Sequence, residues 1–157
     1  MRVRRATQTD VETIASVHVA TWRACYRNLI PEEFLARLSA QDREPGWRKL
    51  IDTAGRTIFV CRPQRQTVGF AACGPTRDVD KDAALVGELY AIYVLPDFWG
   101  EGCGHAMCKR VERVLTSTKF IEANLWVLDG NARARQFYER EGFRTILVRV
   151  KTHKAVV

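Results

Sequence analysis

The chain of 157 residues lacks an apolar run long enough to span a membrane, and it lacks the cysteine spacing of a metal site. Its five cysteines are scattered, odd in number and never arranged as CxxC, so neither a disulfide framework nor a zinc site is expected. Asp10 and Glu12 interrupt the basic start, which argues against a secretory signal. The expected compartment is therefore a reducing cytoplasm.

The chain also has no long block of lysine or arginine, although its net charge is +7. Such a charge favours anionic ligands such as phosphates, with basic residues that merely solvate the surface as the alternative. The aromatic residues do not interleave with a basic stripe, so a nucleic-acid partner is not expected. The same charge argues mildly against a strongly cationic substrate, because electrostatic steering would be repulsive. Length and composition indicate one globular domain over residues 1–157.

Hydrophobic periodicity predicts a mixed α/β domain with one central sheet, in the order βαα-βββ-α-β-α-β. Thr9 and Glu12 have the spacing of a capping box at the start of the first helix, which should end near Arg27. Residues 41–56 suggest a further helical turn. Strands are predicted at 2–6, 57–62, 67–73, 85–95, 121–128 and 143–151, and further helices begin near Pro31, Gly104 and Asn131.

A glycine-rich turn, Gly100–Gly104, connects the strand that ends at Leu95 to the next helix. The backbone N–H groups of such a turn converge with the positive end of the helix dipole, and together they suit a pyrophosphate. The turn lacks the lysine of a Walker loop, and His105 and Met107 stand where a dinucleotide fingerprint needs glycine. A tight turn with no ligand stays open as the alternative.

A second pattern follows the next strand, where Asn131, Ala134 and Tyr138 share one helix face. Together with the glycine turn, this pattern resembles the GNAT superfamily of acetyl-CoA-dependent N-acetyltransferases. The resemblance is close over residues 85–143 and looser over the first third of the chain. It implies a GNAT-like single domain with a mostly antiparallel mixed sheet, and acetyl-CoA as co-substrate. The matching residues are Val94, Pro96, Gly102, Gly104, Asn131, Ala134, Tyr138, Gly142 and Phe143.

The resemblance implies how this co-substrate is held. Strand backbone around Ile92 to Val94 would bond the pantetheine arm and polarise the thioester carbonyl at little reorganisation cost. Trp99 stands where the family often has glutamine or arginine, so the backbone amides of the turn would carry the pyrophosphate. Asn131 would bond pantetheine, cap its helix, or do both. The implied cofactor residues are Ile92, Tyr93, Val94, Trp99, Gly100, Glu101, Gly102, Cys103, Gly104, His105, Asn131, Ala134 and Phe137.

Two side chains match the family's catalytic positions. Tyr138 corresponds to the usual proton donor to the leaving thiolate, with a packed core aromatic as the alternative. Glu88 lies six residues before Val94, an offset at which some members carry a general-base glutamate. A solvated or ion-paired carboxylate is the alternative for Glu88. In an unbroken strand, Glu88 would face the same side as Ile92 and Val94.

Aromatic residues are candidates for the acceptor pocket. Trp22 and Tyr26 lie near the bend that flanks the acceptor cleft in this family, with core packing as the alternative. Of Tyr90 and Tyr93, one should face the cleft and the other the core, and Tyr90 is taken as a third acceptor-binding residue. Cys103 is interpreted as a small filler residue, with a reactive thiol as the alternative.

The resemblance thus predicts an enzyme that moves an acetyl group from acetyl-CoA to a primary amine of a small molecule or protein by direct attack. Tyr138 would be the acid, and Glu88 or an ordered water would be the base. A non-catalytic acyl-CoA-binding module is the rival, and a homodimer stays open. No metal is expected, since His18, His105 and His153 show no ligand spacing. The family's further strand after Phe143 is expected to be short or absent, with 152–157 as a stub.

Overall fold

The structure is a computed structural model that describes residues 1–144. Residue contacts divide the chain into two compact units, Met1–Trp126 and Val127–Val157, and each is described by itself. The stub at 152–157, His153 and nearly all of the strand predicted at 143–151 lie outside the described residues. Within residues 1–144, no helix has both the length and the apolar character required to cross a membrane.

Five strands form one sheet in the first unit, and they lie side by side in the order of the sequence. Neighbouring strands are antiparallel except the last pair, which is parallel. This arrangement confirms the predicted mostly antiparallel mixed sheet. The strands are β1 (Arg2–Arg5), β2 (Thr57–Arg62), β3 (Gly69–Pro75), β4 (Val86–Val94) and β5 (Glu122–Leu125).

The described residues also form five α-helices, one more than predicted. The additional one is the third, which the sequence indicated only as a further helical turn and which spans 13 residues behind the N-cap Ser39. Ser39 favours this helix because its hydroxyl accepts a hydrogen bond from the Asp42 N–H. The helices are α1 (Val11–Cys25), α2 (Glu32–Ala36), α3 (Ala40–Asp52), α4 (Cys103–Ser117) and α5 (Ala132–Arg140).

The start of α1 differs from the prediction. The capping box joins Thr7 to Asp10 on a short 3-10 turn rather than Thr9 to Glu12, so that prediction is wrong. The Asp10 carboxylate accepts from the Thr7 N–H at 2.8 Å and from the Arg4 guanidinium at 2.7 and 2.8 Å. These hydrogen bonds, the one from Arg4 above all, hold the pKa of Asp10 below its usual value. Arg4 thereby ties β1 to the start of α1.

Helices cover both faces of the sheet, which explains why β2 and β3 are apolar almost throughout. One face packs against α1 and α3, and the other packs against α4 through buried Met107 and Val111. The core on the first face includes Val11, Ile14, Trp47, Ile58, Val60, Phe70 and Ala72.

A β-bulge interrupts β4 at Tyr90. Ala72 of β3 pairs with Ala91, but the next residue, Cys73, pairs with Leu89, so Tyr90 is an extra residue on β4. Such a bulge shifts the alternation of side chains along the strand by one position. Residues an even number of positions apart along β4 therefore face opposite sides of the sheet when Tyr90 lies between them.

The bulge corrects one prediction about Glu88. Glu88 pairs with Gly74 and Tyr93 pairs with Phe70, and these two β3 residues are four apart and share a face. Glu88 therefore faces the same side as Tyr93, the side covered by α1. The prediction that it shares a face with Ile92 and Val94 is wrong, because it assumed an unbroken strand.

His18 of α1 is a buried histidine within an aromatic cluster. It is 3% exposed, its Nδ1 accepts from Trp47 Nε1 at 3.2 Å, and its ring stacks on that of Tyr93 with centroids 5.6 Å apart. Burial lowers the pKa of His18 from 6.5 to about 4, and the Arg43 charge adds to this effect. The imidazole is therefore neutral at pH 7 and belongs to the core.

We predict that His18 makes the free energy of unfolding depend on pH between about 4 and 6.5. The unfolded chain binds a proton below pH 6.5, whereas the folded chain resists it down to about pH 4. This contribution should be complete above pH 6.5 and decline as pH falls, with a slope approaching about 1.4 kcal/mol per pH unit. Urea unfolding across this range should show a smaller slope in His18→Gln, which keeps an acceptor for Trp47. An equal slope in both proteins would contradict the prediction.

Candidate active site

The carboxyl-terminal half of β4 has a strand partner on one side only. Pairing with β5 runs from Val86 to Leu89 and stops, whereas pairing with β3 continues to Val94. No other strand among residues 1–144 covers the exposed side of β4. We call residues 90–94 on this side the open edge of β4. Such an edge presents backbone N–H and C=O groups to a ligand.

The backbone hydrogen bonds show which residues present these groups. The Leu95 N–H donates to the Val68 C=O at 2.8 Å, so the peptide groups of Leu95 and Tyr93 are directed at β3. Because hydrogen bonding alternates along an antiparallel pair, Ile92 and Val94 direct theirs to the open edge. The predicted cofactor residues Ile92 and Val94 thus have suitable backbone groups, whereas Tyr93 has its backbone on β3 and its side chain toward α1.

Trp99 is bound to the end of β4. Its indole N–H donates to the Val94 C=O at 2.7 Å, and its backbone N–H donates to the Pro96 C=O at 3.0 Å. These two bonds close the short 3-10 turn Pro96–Phe98 that follows the strand. The sequence identified Trp99 as a departure from the family pattern but did not reveal its partner.

The glycine turn adopts the backbone conformation that only glycine reaches easily. Gly100 has φ +82° and Gly102 has φ +81°, both in the left-handed region. A Cβ at either position would meet no atom within 4 Å, so the glycines serve the backbone path rather than close packing. Gly102 is the N-cap of the 15-residue helix α4, whose first N–H groups carry the positive end of the dipole. This is the geometry expected for an anion.

The other predicted residues of the turn divide between core and surface. Cys103 is 1% exposed and contacts the Cys61 thiol, and burial raises the pKa of Cys61 to about 12. This environment agrees with Cys103 as a filler. Glu101 and His105 are exposed, and Gly104 is half-buried. Among residues 1–144, no three His, Cys, Asp or Glu side chains lie close enough to share a metal ion.

Glu88 is buried in an ion pair. It is 1% exposed, and its Oε2 accepts from the Arg77 backbone N–H at 2.7 Å. Its Oε1 accepts from Arg77 Nε at 3.1 Å and from Arg77 Nη2. The ion-paired alternative thus describes Glu88, and a direct base role would require this pair to open. The sequence did not identify Arg77, because the path of its loop cannot be predicted from local pattern.

Tyr90 is part of the core rather than an open pocket wall. It is 9% exposed, and its hydroxyl donates to the Pro75 C=O at 2.6 Å. The guanidinium groups of Arg77 and Arg56 lie 4.4 and 5.4 Å from its ring centroid. Burial is the main cause of its raised pKa. The bulge directs Tyr90 to the same face as Tyr93, so the expectation of opposite faces is wrong.

Two tyrosine hydroxyls meet on the side of the sheet that α1 covers. Tyr26 Oη and Tyr93 Oη are 3.2 Å apart, and both residues are half-buried. The Trp22 ring packs edge-on against Tyr26 with centroids 5.1 Å apart, but Trp22 is only 6% exposed and packs with Leu35. Trp22 therefore fits its core alternative. Tyr93, predicted for the cofactor, instead pairs its side chain with the acceptor candidate Tyr26.

A second group that the sequence missed is Asp78, beside Arg77 in the loop between β3 and β4. Its carboxylate accepts from Asn124 Nδ2 at 2.7 Å and from Trp126 Nε1 at 2.9 Å. Asn124 lies opposite Glu88 across the β4–β5 pair. The loop therefore brings a cation and a carboxylate to the point where the two strands stop pairing.

In the second unit, Asn131 caps α5. Its Oδ1 accepts from the Ala134 N–H at 3.1 Å, which confirms the N-cap interpretation. The Nδ2 group is then the part of this amide that can donate to a cofactor carbonyl. Asn131 can thus serve both predicted roles.

Tyr138 lies on the same α5 face as Asn131 and Ala134 by its spacing. It is half-buried, and its ring packs edge-on against Phe137 and Phe143, with centroids 5.2 and 6.0 Å apart. The Phe143 N–H donates to the Tyr138 C=O at 2.9 Å, and Gly142 has φ +94°, as in a Schellman ending. The predicted glycine cap is confirmed.

Comparison with known proteins agrees with this geometry. The sequence model of the acetyltransferase (GNAT) family matches residues 19–143. The uncharacterized N-acetyltransferase YuaI of Bacillus subtilis is 33% identical over 130 residues, which are 82% of this chain and 72% of YuaI. An uncharacterized N-acetyltransferase of Archaeoglobus fulgidus is 30% identical over 145 residues, which are 92% of this chain and 93% of that protein.

The fold is also that of a solved structure. The PaiA N-acetyltransferase from Thermoplasma acidophilum, in complex with coenzyme A, superposes with a TM-score of 0.83. The alignment covers 95% of this chain and 92% of the other, at 17% identity. At this identity the likeness shows a shared fold.

The glycine turn generates a prediction about coenzyme A binding. In Gly102→Ala, the left-handed conformation costs about 1–2 kcal/mol. Relief of this strain would rotate the backbone N–H groups of the turn away from the bound pyrophosphate. We expect the Kd for coenzyme A, measured by calorimetry, to rise roughly tenfold. Gly55→Ala is the matched control, because Gly55 has φ +77° but lies beside Pro75, at the opposite end of β4. Equal Kd values in the two variants would contradict the assignment of the turn.

Proposed function

The chain belongs to the acetyltransferase (GNAT) family, and on this premise we propose that residues 92–104 hold acetyl-CoA for direct attack by a primary amine. The protein is an acetyl-CoA-dependent N-acetyltransferase. The pantetheine arm bonds the backbone N–H groups of Ile92 and Val94, and the turn Gly100–Gly104 receives the pyrophosphate. Asn131 of α5 donates to the pantetheine through its Nδ2.

One observation carries this proposal. The open edge of β4 leads directly into a turn with two left-handed glycines and then into the N-terminus of α4. Backbone donors for an amide-containing arm and an anion site for a pyrophosphate are therefore consecutive in the chain. Fixed backbone donors stabilise charge on the thioester oxygen without rearranging during the reaction.

Acetyl transfer also requires proton movements. The charged amine loses one proton, its nitrogen bonds the thioester carbon, and the carbon–sulfur bond breaks. The nitrogen gives up a second proton to solvent as the amide forms, and the thiolate takes up one proton. Tyr138, which matches the family position, supplies the proton to sulfur. Since Arg77 occupies both carboxylate oxygens of Glu88, an ordered water accepts the amine proton and Glu88 positions that water.

The acceptor is a primary amine of a small molecule or protein that binds beside Tyr26 and Tyr93. Their paired, half-buried hydroxyls support this location. The net charge of +7 disfavours a strongly cationic acceptor. The enzyme acts in the cytoplasm and has no nucleic-acid partner. Sedimentation tests whether it forms a homodimer. A thiol-release assay across an amine panel tests the activity, and coenzyme A binding without turnover of any amine would favour a binding module.

Tyr138→Phe should lower turnover while cofactor binding stays intact. Removing the hydroxyl removes the proton donor, so we expect kcat to fall roughly a hundredfold, within the range of general acid catalysis. The Kd for coenzyme A should remain within about twofold of wild type, because the ring is retained. Thiol release and calorimetry on the same preparations check both values. Equal kcat values in the two proteins would remove Tyr138 from this role.

Glu88→Gln should lower kcat/KM most at neutral pH. A primary amine has a pKa near 10.4, so the need for a base declines as pH rises. The deficit of Glu88→Gln relative to wild type should therefore shrink between pH 7 and pH 9.5, as measured by thiol release. Arg77→Gln is the matched control, because it breaks the same ion pair but leaves the carboxylate. A deficit independent of pH would assign Glu88 to packing.

A further inference from the structure

Trp99 occupies a backbone acceptor on the open edge of β4. Its indole N–H donates to the Val94 C=O at 2.7 Å, and this carbonyl is directed to the open edge. A carbonyl on this edge would otherwise accept from an N–H group of the pantetheine arm. In this protein the indole N–H takes the place of that cofactor donor.

The same bond determines where the chain leaves the strand. Trp99 immediately precedes Gly100, and its own backbone is extended at φ −71° and ψ 140°. The next residues include two left-handed glycines, whose backbones have more conformational freedom than other residues. The indole bond fixes the start of this flexible stretch to the end of β4.

We propose that Trp99 is a positioning residue that pre-orders the pyrophosphate turn by binding the Val94 carbonyl. This inference rests on the proposed cofactor site. A turn ordered before binding loses less conformational entropy when the cofactor arrives, which raises affinity. With the Val94 carbonyl occupied, the N–H groups of Ile92 and Val94 receive the carbonyl oxygens of the pantetheine arm.

Trp99→Phe tests the proposal, because it keeps an aromatic ring and removes the donor. Calorimetry should give a Kd for coenzyme A that is roughly three- to tenfold higher than in wild type, the loss typical of one neutral hydrogen bond. Adenosine 3′-phosphate 5′-diphosphate, which lacks pantetheine, should lose affinity by a similar factor, because the effect acts on the turn. The KM for the amine should not change. Trp99→His, which retains an N–H at a comparable distance from the backbone, should recover part of the affinity.

Trp47→Phe is the matched control. It also removes an indole hydrogen bond, the one to His18 Nδ1, but in the core beneath α1. It should lower the unfolding temperature without changing either Kd. If Trp99→Phe is unfolded under conditions in which Trp47→Phe remains folded, Trp99 serves folding and the proposal is wrong.

The outcomes separate this inference from the proposed function. Wild-type protein that binds no coenzyme A would overturn the proposed function itself. Wild type that binds it, with an unchanged Kd in Trp99→Phe, would overturn only the role of Trp99. A loss for coenzyme A that leaves the nucleotide fragment unaffected would also overturn it, because the bond would then act on pantetheine alone.

Discussion

The parting of β4 from β5 after Leu89 is the constraint on which the rest of the site depends. Antiparallel pairing with β3 continues past the bulge to Val94, while the other side is left without a strand among the described residues. Because hydrogen bonding alternates along β4, the backbone N–H and C=O groups of Ile92 and Val94 point to the open edge. A ligand with amide groups can bind there as an added strand would. The glycine turn and α4 follow at once. Backbone groups for an amide-containing arm and a site for a pyrophosphate therefore lie in one short segment.

The bulge at Tyr90 has a separate consequence, because it brings Glu88, Tyr90 and Tyr93 to one face. On that face the polar groups are strongly paired: Glu88 with Arg77, and Tyr90 with the Pro75 carbonyl. A buried carboxylate without its guanidinium would be costly, so the pair stabilises Glu88 in place. The tyrosine hydroxyls of residues 26 and 93 are the more accessible groups, which explains why we assign the acceptor to them.

Patterns of adjacent residues predicted most of the fold and the cofactor segment. Alternation and helical spacing located β2, β3, β4 and α4 to within two residues, and the Asn131 cap followed from its position. The faces of β4 could not be predicted, since a bulge depends on the register between strands. Arg77 and Asp78 were missed because they reach Glu88, Asn124 and Trp126 across long sequence separations. The hydrogen bond from Trp99 to the Val94 carbonyl could not be predicted without the geometry of the turn between the two residues.

Amide hydrogen exchange, measured by NMR with and without coenzyme A, tests the central claim most directly. If the open edge and the turn hold the cofactor, the N–H groups of Ile92 and Val94 and those of residues 100–104 should become protected on binding. The Tyr93 N–H, already directed at β3, should change little. Coenzyme A that binds while the Ile92 and Val94 amides exchange at unchanged rates would contradict the account.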